Sequence, residues 1–322
     1  MKSATNLSRR KFGGLAIAST ALAAATPLRA MEKKPAPAAI TPGLFQATIG
    51  QYTVTSILDG MIPMGRELFS GPKQEIDAVL AETGQTGQTI PGPISAFLLS
   101  SEQETILIDS GFGALDMFGP GFGNLSAGLS ALGVTPSQID KVILTHAHPD
   151  HIGGMLSADG SNVFANAEVI ITEKEFTFWN DQAIMSQAPE SALGIFQLAQ
   201  QMTRAYGDQI TRVESGKEIA AGIQLDVFSG HTPGHGVLTI DGGDIEVKMI
   251  ADALHNAELH TRLPGIKFAF DLDPEQAVVS RVTLFDQLAA DKSLVLGSHL
   301  HFPGYGRILR DGKAYRYSAA SV

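Results

Sequence analysis

The chain has 322 residues, a hydrophobic content of 44% and a formal net charge of −10, which together indicate a folded protein with a sizeable core. It contains no cysteine, so disulfide scaffolds, thiolate nucleophiles, zinc fingers and iron–sulfur clusters are excluded, and any metal must be held by His, Asp or Glu. The acidic charge repels phosphate backbones and anionic lipid, and we therefore expect no nucleic-acid partner and no stable membrane insertion.

The first 30 residues form a predicted export signal. They hold five cations and no acid, and the pair Arg9-Arg10 precedes a mildly apolar run. This pattern resembles the twin-arginine type of signal, which exports folded proteins; an ordinary secretory signal and a basic disordered tail are the alternatives. We therefore expect a periplasmic or secreted protein, in which residues 1–30 are the signal, 31–43 a flexible leader and 44–322 a single folded domain.

The remaining sequence alternates short apolar runs with a few helical patterns. The predicted strands cover 44–57, 96–99, 105–108, 141–144, 169–171, 223–228, 237–240, 247–251 and 294–296, and the predicted helices cover 76–80, 125–132, 191–205 and 274–290. Gly60 and Pro63 are expected to interrupt the first pair of strands. Many short strands with inserted helices favour two sheets with helices packed outside them.

Histidines concentrate at the ends of predicted strands, where a rigid scaffold can present ligands. Seven of the nine fall into three groups: His146, His148 and His151; His231 and His235; His299 and His301. In the first group, His146 and His148 are two residues apart, so their rings project to one side of an extended segment. Pro149 then helps the chain to turn before Asp150 and His151. This arrangement can serve two neighbouring metal ions, and its donors suit zinc or a similar ion.

The segment His146-Ala147-His148-Pro149-Asp150-His151 resembles the HxHxDH motif of the metallo-β-lactamase superfamily. Four further segments resemble the other motifs of that superfamily, in the same order: 107–111, 230–235, 251–252 and 298–299. Together these elements span residues from about 45 to 317. The resemblance implies an α+β fold, the four-layer αββα metallo-β-lactamase sandwich, with a metal site at one edge of the two sheets.

The resemblance also implies two divalent metal ions, most simply Zn²⁺, with manganese, iron or cobalt as alternatives. The implied ligands are His146, His148 and His231 for one ion, Asp150, His151 and His299 for the other, and Asp252 as a bridge between them. Asp109 and His235 would stand behind the ligands, where a hydrogen bond can orient a ligand ring.

Within the superfamily, the C-terminal segment 299–306 resembles the methyl parathion hydrolase branch, which includes enzymes that act on lactones and aryl esters. This resemblance implies a homodimer, and it implies that Trp179 and Phe196 line the mouth of the substrate pocket. Ordinary packing in the core is the alternative for both aromatic residues. His255, three residues after the bridging Asp252, is expected to contact the substrate.

Two histidines and two aromatic residues carry weaker expectations. His260 is expected at the surface, and His301, two residues beyond a ligand, is expected to point away from the metals. Phe268 and Phe270 are further candidates for the wall of the pocket.

The expected activity is hydrolysis of a neutral lactone or aryl ester. Two adjacent cations lower the pKa of a bridging water, and the resulting hydroxide is the expected nucleophile. Asp150 and Asp252 are the expected catalytic carboxylates, the first relaying protons and the second holding both ions. A side activity on organophosphate triesters is expected; the alternatives are a dedicated organophosphate triesterase and a non-catalytic periplasmic zinc-binding protein.

Overall fold

The computed structural model describes residues 43–115 and 121–320. The predicted export signal, and the predicted leader apart from Gly43, lie outside the described residues. All described residues belong to one compact unit, Ile40–Val322. No helix in the described ranges combines the length and the hydropathy that are needed to cross a membrane.

The described chain forms sixteen strands and eight α-helices. The strands are β1 (Leu44–Ile49), β2 (Tyr52–Gly65), β3 (Phe69–Ser70), β4 (Thr89–Ser100), β5 (Thr105–Ile108), β6 (Lys141–Ile143), β7 (Glu168–Thr172), β8 (Ile210–Val213), β9 (Lys217–Ala220), β10 (Ile223–Val227), β11 (Gly236–Asp241), β12 (Glu246–Met249), β13 (Lys267–Phe268), β14 (Leu294–Leu296), β15 (Tyr305–Asp311) and β16 (Ala314–Ala319). The helices are α1 (Lys73–Glu82), α2 (Leu125–Ala131), α3 (Pro149–Ile152), α4 (Glu173–Asn180), α5 (Gln182–Gln187), α6 (Glu190–Tyr206), α7 (Ala257–Arg262) and α8 (Pro274–Asp291).

Two seven-stranded sheets form the middle of the molecule. The first has the order β1-β2-β4-β5-β6-β7-β8, and the second has the order β16-β15-β14-β12-β11-β10-β9. Strands β5 to β8 run parallel, as do β12 and β14. Because the carboxyl ends of parallel strands meet at one edge of a sheet, the loops that follow β5, β6, β12 and β14 are brought to common edges.

Successive residues of one strand show how the layers are built. Ile106 and Ile108 of β5 pack in a buried cluster that includes Leu238 and Met249 of the second sheet. Leu107, between them, points to the opposite face, where residues of α2 and α6 cover the first sheet. A third cluster packs α8 on the outer face of the second sheet. The predicted αββα sandwich and the single domain are thereby confirmed.

The expected interruption at Gly60 and Pro63 is wrong. Strand β2 continues to Gly65, with a register shift between Leu58 and Gly60. Pro63 lies directly opposite Pro91 on β4, and such a pair fits a position of the antiparallel ladder at which neither residue has to donate a hydrogen bond. A bulge therefore replaces the break that the sequence suggested.

Candidate metal centre

Loops from both sheets deliver the motif residues to one place. Residues 145–151 follow β6, residues 229–235 join β10 to β11, and residues 297–299 follow β14. Asp252 lies just after β12, and Ala251 before it has a φ of 42°, a conformation that an alanine adopts only when its surroundings impose it. The buried apolar cluster between the two sheets thus brings together residues as far apart in the chain as His146 and His299.

The first candidate ligand group consists of three histidines and one aspartate, and we call it the three-histidine group: His146, His148, His231 and Asp252. His231 Nε2 lies 3.2 Å from His146 Nε2 and 2.9 Å from His148 Nδ1. Asp252 Oδ2 lies 3.3 Å from His231 Nε2 and 3.7 Å from His146 Nε2. All four side chains are buried.

The second group shares Asp252 with the first, and we call it the two-histidine group: Asp150, His151, Asp252 and His299. His151 Nε2 lies 3.1 Å from Asp252 Oδ1 and 3.5 Å from Asp150 Oδ2. His299 Nε2 lies 3.1 Å from Asp252 Oδ2 and 3.6 Å from Asp150 Oδ2. The two oxygens of Asp252 therefore connect both groups.

Hydrogen bonds from behind determine which ring nitrogens face the centre. His151 Nδ1 donates to Asp109 Oδ2 at 2.8 Å, and His299 Nδ1 donates to the carbonyl oxygen of Pro93 at 2.8 Å. His231 Nδ1 donates to Asp271 Oδ1 at 3.0 Å. Because carboxylates and carbonyls only accept, each of these rings carries its proton on Nδ1 and directs the lone pair of Nε2 inward when it is neutral.

The donor set fits a pair of divalent cations. His151 Nε2 and Asp252 Oδ1 are only 3.1 Å apart, yet both atoms are buried and neither makes a hydrogen bond within the described structure. Two lone-pair donors at this distance repel each other unless a metal ion or a proton lies between them. Four-ligand groups built from imidazole and carboxylate are typical of zinc and related ions.

Without a cation, the nearby carboxylates favour the protonated form of His231. Burial by itself lowers the pKa of His231, but hydrogen bonds and charges from Asp252 and Asp271 outweigh burial and raise that pKa to about 9. Burial opposes the ionisation of Asp252, and the nearby charge of His151 outweighs it, so the pKa of Asp252 lies well below its usual value. The centre thus stabilises anionic carboxylates and attracts positive charge. Either protons or a metal ion can supply that charge.

Asp109 and His235 lie directly behind the ligands. Besides its bond to His151, Asp109 accepts hydrogen bonds from the backbone N–H and the hydroxyl of Thr145, each at 2.8 Å. Its φ of 57° is rare for a residue with a side chain, so the fold tolerates backbone strain at this position. His235 Nε2 accepts the backbone N–H of Asp252 at 3.1 Å, and burial lowers the pKa of His235 to about 3, so the ring stays neutral.

The sequence reasoning missed Asp271 and Arg281. Arg281 is buried, donates to the backbone carbonyls of Ala253, Pro264 and Ile266, and lies 3.6 Å from Asp271. It thereby helps to fix the carboxylate that orients His231. No spacing signal marks Asp271 in the sequence, because the loop that carries it is brought to His231 only by tertiary packing.

The residues expected to contact the substrate occupy different places. Trp179 and Phe196 lie in the core with only 1% and 3% of their surface exposed. The ring of Trp179 meets that of His148 at a centroid distance of 5.8 Å, and Phe196 packs on Trp179 at 4.7 Å. Trp179 is thus adjacent to a ligand, whereas Phe196 supports it from behind, and their contact with the substrate stays a prediction.

His255 lies beside the bridging carboxylate. Its Nε2 is 3.1 Å from Asp252 Oδ2, and its ring stacks on Phe268 at a centroid distance of 3.7 Å. Burial lowers the pKa of His255 to about 4, so the ring is neutral near pH 7. Phe270 packs edge-to-face against Phe268 and is 53% exposed, which extends this aromatic cluster from His255 to the surface.

The expectation that His260 lies at the surface is wrong. His260 is fully buried, and its Nδ1 accepts the backbone N–H groups of His255 and Asn256, so it supports the turn that carries His255. His301 is exposed, and its Nε2 pairs with Glu258 Oε1 at 2.9 Å.

The space behind Asp252 is too small for a substrate. The cavity between His231, His235 and Arg281 has a volume of about 10 Å³, about enough for one water molecule. Asp150 keeps 15% of its side chain exposed, against 3% for Asp252. The accessible side of the centre is therefore the side of Asp150.

Comparison with known proteins places this geometry in a family. The family described as the metallo-beta-lactamase superfamily matches residues 89–299. N-acyl homoserine lactonase AiiA of Bacillus thuringiensis subsp. kurstaki is 24% identical over 232 residues, which cover 66% of this chain and 83% of that protein.

Two solved structures resemble the chain over most of its length. The hydrolase AbOPH of the beta-lactamase superfamily is 29% identical, with a TM-score of 0.82 over 88% of this chain and 99% of that chain. AidC, described as a dizinc quorum-quenching lactonase in complex with a product, N-hexnoyl-L-homoserine, is 26% identical, with a TM-score of 0.81 over 87% of this chain and 98% of that chain. With its two ligand groups and these relatives, the chain belongs to the metallo-β-lactamase superfamily and is a metal-dependent hydrolase.

Proposed function

We propose that this protein is an exported dizinc lactonase that opens the ring of neutral lactones, with aryl esters as further substrates and a weaker activity on organophosphate triesters. The observation that carries the proposal is the convergence of two ligand groups on the shared carboxylate of Asp252. Support for the substrate class comes from AiiA and AidC, which are described as lactonases, AidC as a dizinc one.

A pair of zinc ions held by the two groups would supply an activated water and a Lewis acid for the carbonyl oxygen. The residues of the chain supply the geometry. Asp252 contacts both groups and so sets the distance between them. Asp109 and Asp271 orient the rings of His151 and His231 so that their Nε2 atoms face the centre. Asp150 is the more accessible carboxylate, and we assign to it the transfer of a proton from the nucleophile to the leaving alkoxide.

His255 is the proposed contact of the substrate. Its neutral ring offers an Nε2–H that points to Asp252 Oδ2, 3.1 Å away. A substrate oxygen that arrives beside Asp252 can compete for this hydrogen bond. The aromatic cluster of Phe268 and Phe270 beside His255 then provides an apolar surface for the acyl or aryl part of a neutral substrate.

A hydrolase panel on metal-replete protein tests the proposal. It should include N-hexanoyl homoserine lactone, dihydrocoumarin, phenyl acetate and methyl parathion. We expect kcat/KM for a lactone to exceed that for methyl parathion at least about tenfold, or ~1.4 kcal/mol of transition-state preference. A preference for methyl parathion would assign the protein as a triesterase, and two bound metals without turnover would indicate a metal-binding protein.

Export and assembly are separate parts of the proposal. Replacing Arg9 and Arg10 together by Lys should retain the precursor in the cytoplasm, because lysine does not reproduce the paired guanidinium groups. Normal periplasmic yield of that variant would point to the general secretory route or to no export. Light scattering of the purified protein tests the proposed homodimer, for which a monomeric mass is the contrary result.

A further inference from the structure

Glu175, in the first turn of α4, has a buried carboxylate that accepts hydrogen bonds from four donors. Its Oε1 accepts the backbone N–H of Ala147 at 3.0 Å and the indole N–H of Trp179 at 2.7 Å. Its Oε2 accepts the hydroxyl of Thr232 at 2.7 Å and the backbone N–H of Gly234 at 2.9 Å. The residue has no exposed surface.

Three of these donors, on Ala147, Thr232 and Gly234, come from the two loops that carry the histidines of the three-histidine group, and the fourth, Trp179, lies on α4 itself. Ala147 lies between His146 and His148, and Thr232 follows His231. One side chain therefore connects residues 145–151 to residues 229–235. The start of α4 also packs closely on the second of these loops, since a Cβ placed on Gly234 would lie 2.2 Å from the backbone nitrogen of Glu175.

The two-histidine group is anchored elsewhere. His151 is held by Asp109, and its backbone carbonyl accepts the hydroxyl of Ser110 at 2.9 Å. His299 is held by the carbonyl of Pro93. Glu175 makes none of these contacts, so its removal should disturb the two groups unequally.

None of the ion pairs within the described part of the chain includes Glu175. Burial raises the pKa of Glu175, and the hydrogen bonds from Thr232, Trp179, Ala147 and Gly234 act in the opposite direction because they stabilise the anion. A carboxylate is the side chain that can accept all four bonds at once, two at each oxygen.

We propose that Glu175 is a positioning residue that sets the spacing of His146, His148 and His231, and thereby the metal affinity of the three-histidine group. The proposal rests on the two-metal centre of the proposed function. It assigns to Glu175 no contact with the metals or with the substrate.

The variant Glu175→Gln tests this role with little change of shape. A glutamine places an NH₂ group against the donors at one of the two oxygens, so either the Ala147 N–H or the Gly234 N–H loses its acceptor. We expect the Co²⁺ affinity of the three-histidine group to fall about tenfold or more, with that of the two-histidine group unchanged within about twofold. Glu173→Gln is the matched control, since Glu173 precedes Glu175 by two residues but pairs at the surface with Arg212.

Paramagnetic proton NMR of the cobalt-loaded protein identifies the group that changes. Three shifted imidazole N–H signals belong to the three-histidine group and two to the other group, as their numbers of histidines require. In Glu175→Gln the set of three should weaken first as chelator is added. Equal loss of both sets, or affinities equal to the wild type, would overturn the proposal.

A second variant covers the case in which Glu175→Gln does not fold, which circular dichroism of the metal-free protein would reveal. Thr232→Val removes one donor and keeps the shape of the side chain, and it should weaken only the three-histidine group, by roughly threefold to tenfold. An unchanged affinity in Thr232→Val would then count against the role of Glu175. Wild-type protein that binds fewer than two Co²⁺ ions would instead refute the two-metal centre, independently of any variant.

Discussion

Replacing Asp109 by Asn should weaken metal binding at the two-histidine group by changing a tautomer. Asp109 Oδ1 accepts the N–H of Thr145, and Oδ2 accepts both the hydroxyl of Thr145 and Nδ1–H of His151, all at 2.8 Å. An asparagine that keeps its oxygen on the Thr145 N–H presents an NH₂ group to His151. The ring must then accept at Nδ1 and carry its proton on Nε2, where the metal would bind.

The opposite orientation of the asparagine, with its oxygen toward His151, also destabilises the site. It restores an acceptor for His151 but places the NH₂ group against the backbone N–H of Thr145, inside a site with almost no solvent exposure. An unsatisfied buried donor costs about 1–3 kcal/mol. Removal of an orienting partner typically weakens metal binding 10- to 100-fold, or about 1.4–2.7 kcal/mol, and we expect a loss in this range.

The assay is metal content after dialysis against graded concentrations of chelator. Asp109→Asn should lose one ion per chain at a lower chelator concentration than the wild type and keep the other ion longer. Asp140→Asn is the matched control. Asp140 directly precedes β6, at the end of the strand opposite the ligands, and its carboxylate accepts the Thr105 N–H. Two ions held as tightly as in the wild type would show that Asp109 does not determine the tautomer of His151.

Three further predictions concern the shared ligand, the metals and the backbone. Asp252→Ala should lose both ions and reduce kcat/KM by at least about 10³-fold, since one carboxylate serves both groups; elemental analysis showing one tightly held ion would contradict the bridge. Removal of the metals by chelator should lower Tm, because the ions bind only the folded centre, and re-addition of Zn²⁺ should restore it; an unchanged Tm in calorimetry would argue against a metal-coupled fold. Gly230→Ala should destabilise the protein by about 2 kcal/mol or more in urea unfolding, because φ is 132° and the added Cβ would lie 2.2 Å from the Ala277 nitrogen, whereas Gly194→Ala, with nothing within 4 Å of its Cβ, should be neutral or stabilising.

Much of the fold follows from local patterns in the sequence. The continuous apolar runs of β5, β6 and β7 reflect burial on both faces of a sheet, so they can be recognised without knowing the neighbouring strands. Short edge strands such as β9 and β16 escaped recognition, since their half-exposed residues carry little periodicity. The strand break predicted at Pro63 was wrong for a related reason, because only the pairing with Pro91 on the neighbouring strand makes a proline acceptable at this position.

The metal ligands are similarly marked by the sequence, since His146, His148, Asp150 and His151 are close together and their chemistry requires that spacing. What orients these ligands is not marked. Glu175 follows Thr172 by three residues, a spacing that usually indicates a local bond at the start of a helix, and the Thr172 side chain does accept the Glu175 N–H. Yet the carboxylate of Glu175 turns inward to two loops that are 28 and 59 residues away in the chain. The sequence alone determined which side chains can bind metal, and the tertiary structure decided which carboxylates hold them in place, because a hydrogen bond between distant loops leaves no periodic trace in either of them.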